Sequence, residues 1–329
     1  PGLSKKAKEN LHKGLEEHQG FERIAIALSR YQIGLKMAQR IYETFKEDAL
    51  WKLNEDPYQF VFEIEGFGFQ TADRIARTNG LPLDHPTRIG AGCIFILQRA
   101  VQDGHVFLPL DQCMHEVTKL LNFTIEDETI IEKLEGLSKE KKIILLDGRV
   151  YLPSLYYAED GLASNLIRMM QKEVELVTTL AELMKIIGEI EEEEVLNYGK
   201  EQFQAIEKSL QSRIMILTGG PGTGKTTVKG IVKAYATIHD LSLDPDDYEK
   251  KSEFPFVLAA PTGRAAKRLS ESTGLPASTI HRLLGWNGND AFEKNEHEQL
   301  NGKFLIVDEF SMVDIWLANH LFKAIPSDM

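Results

Sequence analysis

The stretch Arg213–Thr227, R-I-M-I-L-T-G-G-P-G-T-G-K-T-T, constrains this chain more than any other. Four apolar residues, Ile214 to Leu217, run into a glycine-rich turn that closes on Lys225, Thr226 and Thr227. Gly219, Gly224, Lys225 and Thr226 fill the pattern G-x-x-x-x-G-K-[ST] completely. The expectation is a buried strand that stops abruptly, a tight turn, and a helix opening at Gly224. Glycines let successive backbone N–H groups curl around a phosphate with no Cβ in the way. The helix then points its positive end at the same oxygens. Gly220, Pro221, Gly222, Thr223, Gly224, Lys225, Thr226 and Thr227 are therefore the candidate nucleotide ligands. Lys225 is placed to reach the β- and γ-phosphates and the Thr226 hydroxyl to meet a magnesium ion, so ATP and Mg²⁺ are the expected cofactors.

A second site follows in K-F-L-I-V-D-E-F-S-M-V-D, Lys303–Asp314. Lys303 to Val307 read as a buried parallel strand that ends in two carboxylates. Asp308, at the strand end beside the glycine-rich turn, is the candidate metal ligand. Glu309 is the candidate base that orients and deprotonates an attacking water. An Asp-Glu pair after an apolar run means little alone; after a complete phosphate loop in the same domain it means much, because hydrolysis needs both halves. Lys225, Asp308 and Glu309 are the catalytic candidates.

Ahead of the phosphate loop, Gln202 stands at the third helical position if Gly199 caps that helix. A capping box wants Ser or Thr where Gly199 stands, so the alternative gains weight: paired hydrogen bonds from the glutamine amide to an adenine edge. Between the two strong sites, F-V-L-A-A-P-T-G-R-A-A-K-R-L-S repeats the strand-to-helix plan. Thr262 caps the helix, Gly263 allows close backbone approach, and Arg264, Lys267 and Arg268 lie in its first two turns. Such a basic helix start at the carboxyl end of a strand suits a nucleic-acid backbone, and a solvated basic helix fits the residue types equally. T-I-H-R-L-L, Thr279–Leu284, is another helix start, and 285–302 is polar and reads as a loop or small hairpin.

The N-terminal third carries a repeat. Leu3-Ser4 is followed by Leu11, Ile33-Gly34 by Ile41, and Phe67-Gly68 by Ile75 at the same offset. Each copy reads as an apolar residue, a tight turn and a helix whose inner face holds the last apolar position. A turn of this kind exposes backbone N–H groups at a helix start, which suits a DNA phosphate and ignores base sequence. It resembles the helix–hairpin–helix module of DNA repair and recombination proteins, against the plainer alternative of a helical bundle with glycine turns. Only the third copy keeps a G-x-G hairpin, so Gly66 and Gly68 are the DNA-contact candidates there. The first copy has Ser4 for glycine and Lys8 where the others have Ala38 and Ala72.

From Pro86 to about Lys185 the pattern gives a helix (Arg88–Gln102), a short strand (His105–Leu108), two amphipathic helices and then I-I-L-L-D-G-R-V-Y-L. Asp147-Gly148 between two apolar runs marks a hairpin with a primed turn. Helices followed by a hairpin suggest a winged-helix-like unit, which touches DNA or packs domains together. His105 and His115 have no ligand spacing. A run of acids, Glu191–Glu194, reads as a solvated helix end or linker.

Composition sets the outer limits. A length of 329 residues suggests two or three domains, and 43% hydrophobic content allows real cores. The expected divisions are residues 1–84, 85–195 and 196–329. The net charge of −12 argues against indiscriminate nucleic-acid affinity, although residues 1–45 hold eight Lys or Arg against five Glu. No apolar run reaches membrane-spanning length. Two separated cysteines, Cys93 and Cys113, read as buried thiols in a reducing cytoplasm. A chain that starts at Pro1 and stops shortly after Asp314 reads as part of a longer protein.

Taken in order, Gln202, G-G-P-G-T-G-K-T-T, A-P-T-G-R-A-A-K-R-L, T-I-H-R-L-L and V-D-E-F-S-M-V-D closely resemble the first half of the RecD/TraA-type superfamily 1 DNA helicases, the family of the exodeoxyribonuclease V alpha subunit. E-D-P-Y-Q-F and E-G-F-G-F-Q-T-A-D-R-I-A look like the N-terminal part of its longer, stand-alone branch. The resemblance implies a RecA-like P-loop domain with a parallel sheet, making an α/β chain preceded by all-α helix–hairpin–helix repeats and the winged-helix-like unit. It implies ATP-driven 5′-to-3′ translocation on single-stranded DNA, unwinding at single-strand/duplex junctions, and work beside recombination and repair proteins. Residue by residue, Gln202 would face adenine, Lys225 and Thr226 phosphate and Mg²⁺, and Asp308 and Glu309 metal and water. Thr262, Gly263 and Arg264, with Thr279 and His281, would lie along the DNA strand, and 285–302 would hold a small strand-separating hairpin. Phe310 departs from the small residue usual there, and Gly199 departs too. The family's second motor domain and its arginine fingers are not among these residues, so the 329 residues alone are expected to bind ATP·Mg weakly, hydrolyse it scarcely and unwind nothing. Two other classes compete: a DNA-binding scaffold switched by ATP, and a P-loop ATPase acting on protein.

Overall fold

The computed structural model describes residues 19–172, 178–219, 224–250, 253–288 and 291–329. The chain divides into two compact units, Pro1–Tyr156 and Tyr157–Met329.

The first unit is built on short helices: α1 (19–29), α2 (Leu35–Phe45), α3 (Ala49–Glu55), α4 (Gln59–Glu63), α5 (Phe69–Thr78) and the long α6 (Pro86–Gln102). The repeat is visible as structure, with a constant offset of 34 positions. The turn before α2 has Gln32 at φ 60° and the turn before α5 has Gly66 at φ 82°. Gly34 and Gly68 then stand as N-caps with nearly equal extended angles, φ −72° and −79°. Ile33 and Phe67, Ala38 and Ala72, and Ile41 and Ile75 are buried at matching positions. The first copy, around Leu3, Ser4, Lys8 and Leu11, lies outside the described residues.

Helix α6 is the axis of this unit. Pro86 at its first position presets φ, and Ile89, Cys93, Ile96, Leu97 and Ala100 are buried along it. At Gly92 a Cβ would stand 3.2 Å from Leu121 Cδ2, so the missing side chain is what lets α7 come close. After α6 come β1 (Phe107–Pro109), α7 (Leu110–Leu121), α8 (Asp127–Lys139), β2 (Ile144–Leu146) and β3 (Arg149–Tyr151). The strands form an antiparallel sheet in the order β1-β3-β2. Asp147 and Gly148 take φ 49° and 72°, the two left-handed residues a primed hairpin turn requires. Helix, strand, two helices and hairpin are the order of a winged-helix unit. One continuous core runs from Ile24 to Val150.

The second unit follows α9 (Pro153–Met170) with α10 (Leu180–Glu194), α11 (Lys200–Leu210), α12 (Gly224–Ile238), β4 (Phe256–Ala260), α13 (Gly263–Thr273), β5 (Ala277–Thr279), α14 (Ile280–Leu283), β6 (Phe304–Val307) and α15 (Ile315–Ala324). Its sheet is parallel, in the order β5-β4-β6, with Leu258 opposite Ile306 and Ala260 opposite Thr279. Apolar side chains cover both faces, as parallel sheets require.

Three expectations need correction. The strand before the acidic pair, β6, is partly buried along its whole length rather than buried, and Lys303 lies outside it. Ile214–Leu217 are not a buried strand: residues 214–219 carry no regular secondary structure, and Ile216 is 86% exposed. An apolar run becomes a strand only when a neighbour takes its backbone hydrogen bonds, and none of the described strands lies beside it. The acidic run is not simply solvated. Glu194 pairs with both Lys229 and Lys233 of α12, Glu193 pairs with Lys233, and a Glu191 carboxylate oxygen accepts the Tyr198 N–H at 2.6 Å. Helix α10 lies along α12, and its acids answer that helix's lysines.

Candidate nucleotide and DNA sites

Helix α12 opens at Gly224, where a Cβ would meet nothing within 4 Å. Thr226 is partly buried and Thr227 is 3% exposed. Gly220, Pro221, Gly222, Thr223 and the Lys225 side chain lie outside the described residues. Gln202 sits on α11, packed alongside α12. Its Oε1 accepts the Gly199 N–H at 2.9 Å and its Nε2 donates to Thr227 Oγ1 at 3.4 Å. Half of a capping box therefore forms without the Ser or Thr the pattern calls for, and the same amide ties its helix to the helix of the phosphate loop. Both groups that Gln202 would offer an adenine edge are thus engaged within the chain, the amide oxygen at the cap of α11 and the amide nitrogen on Thr227 of α12.

Sequence pattern missed Tyr198. Its ring lies over Gly230 of α12, where a Cβ would come within 2.6 Å of the hydroxyl. That hydroxyl is buried without a partner. Burial and the charges of Glu194 and Glu191 hold the phenol above its ordinary range. The signal available in the sequence was Gly230 itself, a glycine inside a helix with no turn to make.

The carboxyl ends of the three parallel strands gather the other candidates along one edge. Strand β4 leads through Pro261 to Thr262, whose Oγ1 accepts the Ala265 N–H at 3.2 Å and so starts α13. Strand β5 ends in Thr279, whose Oγ1 accepts the Arg282 N–H at 3.2 Å and starts α14. Strand β6 ends at Val307, and the Asp308 N–H continues the ladder to Ala259 O at 3.0 Å. Register thus places Thr262, Thr279 and Asp308 on neighbouring strand ends, where open α/β sheets bind their ligands. Thr262, Gly263, Arg264, Lys267 and Arg268 are all exposed. His281 is partly buried and edges onto Trp286 and Phe292, rings that also meet Trp316 and His320 of α15. Trp286 and Phe292 form an isolated antiparallel bridge early in 285–302, and their rings meet 4.8 Å apart.

At the acidic pair, Asp308 Oδ1 accepts the Glu309 N–H at 2.9 Å, and Glu309 takes φ 55°. A left-handed glutamate is strained backbone, of the kind that concentrates at working sites. Phe310 follows, 39% exposed and edge-on to Phe322. The Thr226 hydroxyl and the Asp308 carboxylate are hard oxygen donors suited to Mg²⁺. Among the described residues no group of three His, Cys, Asp or Glu could hold a metal.

In the first unit, Gly66 and Gly68 lie at the hairpin before α5, Gly66 exposed and Gly68 partly so. Neither α2 nor α5 has a side-chain cap, which leaves first-turn amides open.

Comparison with known proteins agrees with this layout at both ends. Residues 17–107 match the family model described as "ATP-dependent RecD2 DNA helicase HHH domain", and residues 202–329 match one described as "AAA domain". The chain is 34% identical to the ATP-dependent RecD2 DNA helicase of Deinococcus radiodurans, across 99% of this chain and 44% of that protein. It is 35% identical to the RecBCD enzyme subunit RecD of Mycobacterium tuberculosis over 38% of this chain and 24% of that protein. The corresponding subunit of Buchnera aphidicola is 26% identical over 68% of this chain and 40% of its own length. The chain therefore spans less than half the length of these relatives. With a RecD2-type hairpin module and a nucleotide-binding unit in the same order as its relative across nearly every residue, the chain belongs to the RecD helicase family.

Proposed function

We propose that this chain is the ATP-binding and DNA-gripping part of a helicase that moves 5′ to 3′ along single-stranded DNA in recombination and repair. The observation that carries it is the shared strand-end edge, with the acidic pair on β6 and the basic start of α13 after β4. ATP hydrolysis and strand movement then act on one sheet edge. The functional divisions are residues 1–84 for duplex or junction contact, 85–195 as the winged-helix-like connector, and 196–329 as the motor unit.

In this proposal the phosphate loop and α12 cradle the triphosphate, Lys225 neutralises its β- and γ-oxygens, and Gln202 orients the base. Mg²⁺ supplies charge neutralisation at the phosphates, held by Thr226 and Asp308. Glu309 takes the proton of the attacking water. Thr262, Gly263, Arg264, Thr279 and His281 follow the DNA strand. The site lies in cytoplasm, and no described helix is long and apolar enough to cross a membrane.

The test is Lys225→Ala in the longer protein. Unwinding and ATP turnover should vanish while affinity for single-stranded oligonucleotides stays within a few-fold of the parent. Equal loss of binding would favour an ATP-switched scaffold. Binding to single strands and duplex that ignores salt would count against DNA as the ligand altogether.

A further inference from the structure

Three contacts bind the segment that ends α10 and opens α11 to successive turns of α12. Glu194 pairs with Lys229 and Lys233, and Glu193 pairs with Lys233 at 3.1 Å. The Tyr198 ring lies over Gly230. Gln202 Nε2 donates to Thr227 Oγ1 at 3.4 Å. Residues 194, 198 and 202 thus meet 233, 230 and 227, four positions per step on one side and three per step, in the opposite sense, on the other. Those are the spacings at which side chains stack along one helical face, so the contacts form a single antiparallel seam. Nor is the ion pair at its end a solvated one: the Glu194 and Lys233 side chains are 19% and 15% exposed.

The turn inside the seam is strained. Val195 takes φ 54° while its side chain is 90% exposed. A β-branched residue in the left-handed region is an outlier, and here no burial offsets it. Such a conformation persists only where its surroundings over-determine it. On one side Glu194 is held by its lysines. On the other, Glu191 accepts the Tyr198 N–H on its carboxylate and the Leu196 N–H on its carbonyl. The turn so held delivers Tyr198 and Gln202 onto α12.

The Gln202 amide is oriented by the chain, its Oε1 on the Gly199 N–H and its Nε2 on Thr227. Each bond uses half of what its atom offers, and one N–H and one lone pair remain for a ligand. A donor beside an acceptor matches adenine, which presents N7 as acceptor and its amino group as donor. Guanine presents two acceptors on that edge and sets one of them against the amide oxygen. Sliding α12 along the seam would carry the phosphate loop past that amide. Register along the seam is therefore register between base and phosphates.

We propose that Glu194 and Lys233 are positioning residues that set the base selectivity of the nucleotide site, by fixing the register of α12 against the turn that carries Gln202. This deepens the reading above and rests on its assignment of ATP to the phosphate loop and adenine to Gln202. Both side chains act through Gln202 and not by touching the nucleotide.

Steady-state hydrolysis of ATP and of GTP by the longer protein, with single-stranded DNA saturating, tests it through the ratio of their kcat/KM values. Gln202→Ala first examines the assignment and should lower the ATP-over-GTP ratio about tenfold or more. A parent protein with no preference for ATP, or a ratio that Gln202→Ala leaves unchanged, would overturn the adenine assignment and the proposal together. Glu194→Gln and Lys233→Met should each lower the ratio about tenfold by raising KM for ATP, because the lost contact serves ground and transition states alike. The kcat for ATP and both constants for GTP should move less than about twofold. The double variant should fall no further than either single one, since both remove the same pair. With Gln202→Ala impaired, three results would overturn the seam while leaving the adenine assignment standing: an unchanged ratio in Glu194→Gln and Lys233→Met, equal losses for ATP and GTP, or single losses that multiply in the double variant.

Discussion

At the scale of single residues, Arg88 is the group the first unit can least spare. Its side chain is 1% exposed, and its Nε donates to Asp73 Oδ1 at 2.7 Å. Nη1 and Nη2 donate to the carbonyls of Leu83 and Leu121. Tyr58 donates to the same Asp73 oxygen at 2.8 Å, and Arg77 pairs with the other. Arg88→Met would take the buried cation from Asp73, leaving it Tyr58 and Arg77, and would remove the donor to the carbonyls of Leu83 and Leu121, a change that costs about 3 kcal/mol. Urea unfolding of the first unit measures it. Burial pushes the Asp73 carboxyl up, but hydrogen bonds from Arg88 and Tyr58 and the charges of Arg88 and Arg77 outweigh it, and the group sits below the ordinary carboxylate range. A depressed folded value means the stabilisation is complete above the unfolded value of about 3.9 and is lost as pH falls through the folded one. Asp73→Asn should therefore flatten the acid limb of the first unit's stability profile below about pH 4 and leave its slope near neutrality unchanged. Sequence pattern missed this network because an arginine in the first turn of a helix reads as solvated, and only three-dimensional packing reveals that Asp73, Leu83 and Leu121 converge on it.

At the scale of elements, the seat of Gln202 depends on how closely α11 meets α12. Gly230 makes that approach possible: an added methyl would stand 2.6 Å from the Tyr198 hydroxyl and 2.8 Å from Ile206 Cδ1. Gly230→Ala should destabilise the second unit by roughly 1–3 kcal/mol through overpacking, despite the better helix propensity of alanine. It should also pry Gln202 from Thr227. If Gln202 holds adenine, the variant should lose ATP affinity more than affinity for an unadorned triphosphate, which isothermal calorimetry can compare. Elements were legible where chemistry is local: the primed turn at Asp147-Gly148, the N-cap threonines at 262 and 279, and the hairpin glycines at 66 and 68 all follow from residue type. They were illegible where the partner is distant. Ile214–Leu217 have a strand's composition and no ladder, and Glu193 and Glu194 have a linker's composition and two lysines waiting on α12.

At the scale of the whole molecule, the two units have separate cores, one built from residues up to Val150 and the others from Met169 onward or from Leu183 onward. Separate cores allow separate unfolding transitions, and the proposed ligands divide between them in the same way: duplex DNA for the first unit, ATP for the second. A ligand that binds only the folded form stabilises by RT ln(1 + [L]/Kd), about 2.7 kcal/mol at a hundredfold excess over Kd. ATP with Mg²⁺ should therefore raise the transition of the second unit and leave the first in place, while a blunt duplex should do the reverse. Arg88→Met identifies which transition is which by lowering the first alone. Differential scanning calorimetry of the chain with each ligand separately reads both shifts in one series. A duplex that raised only the second transition would move DNA contact from the hairpins to the strand-end edge. ATP shifting only the first would break the assignment of the phosphate loop itself, since no masking of one transition by the other could exchange their order under Arg88→Met.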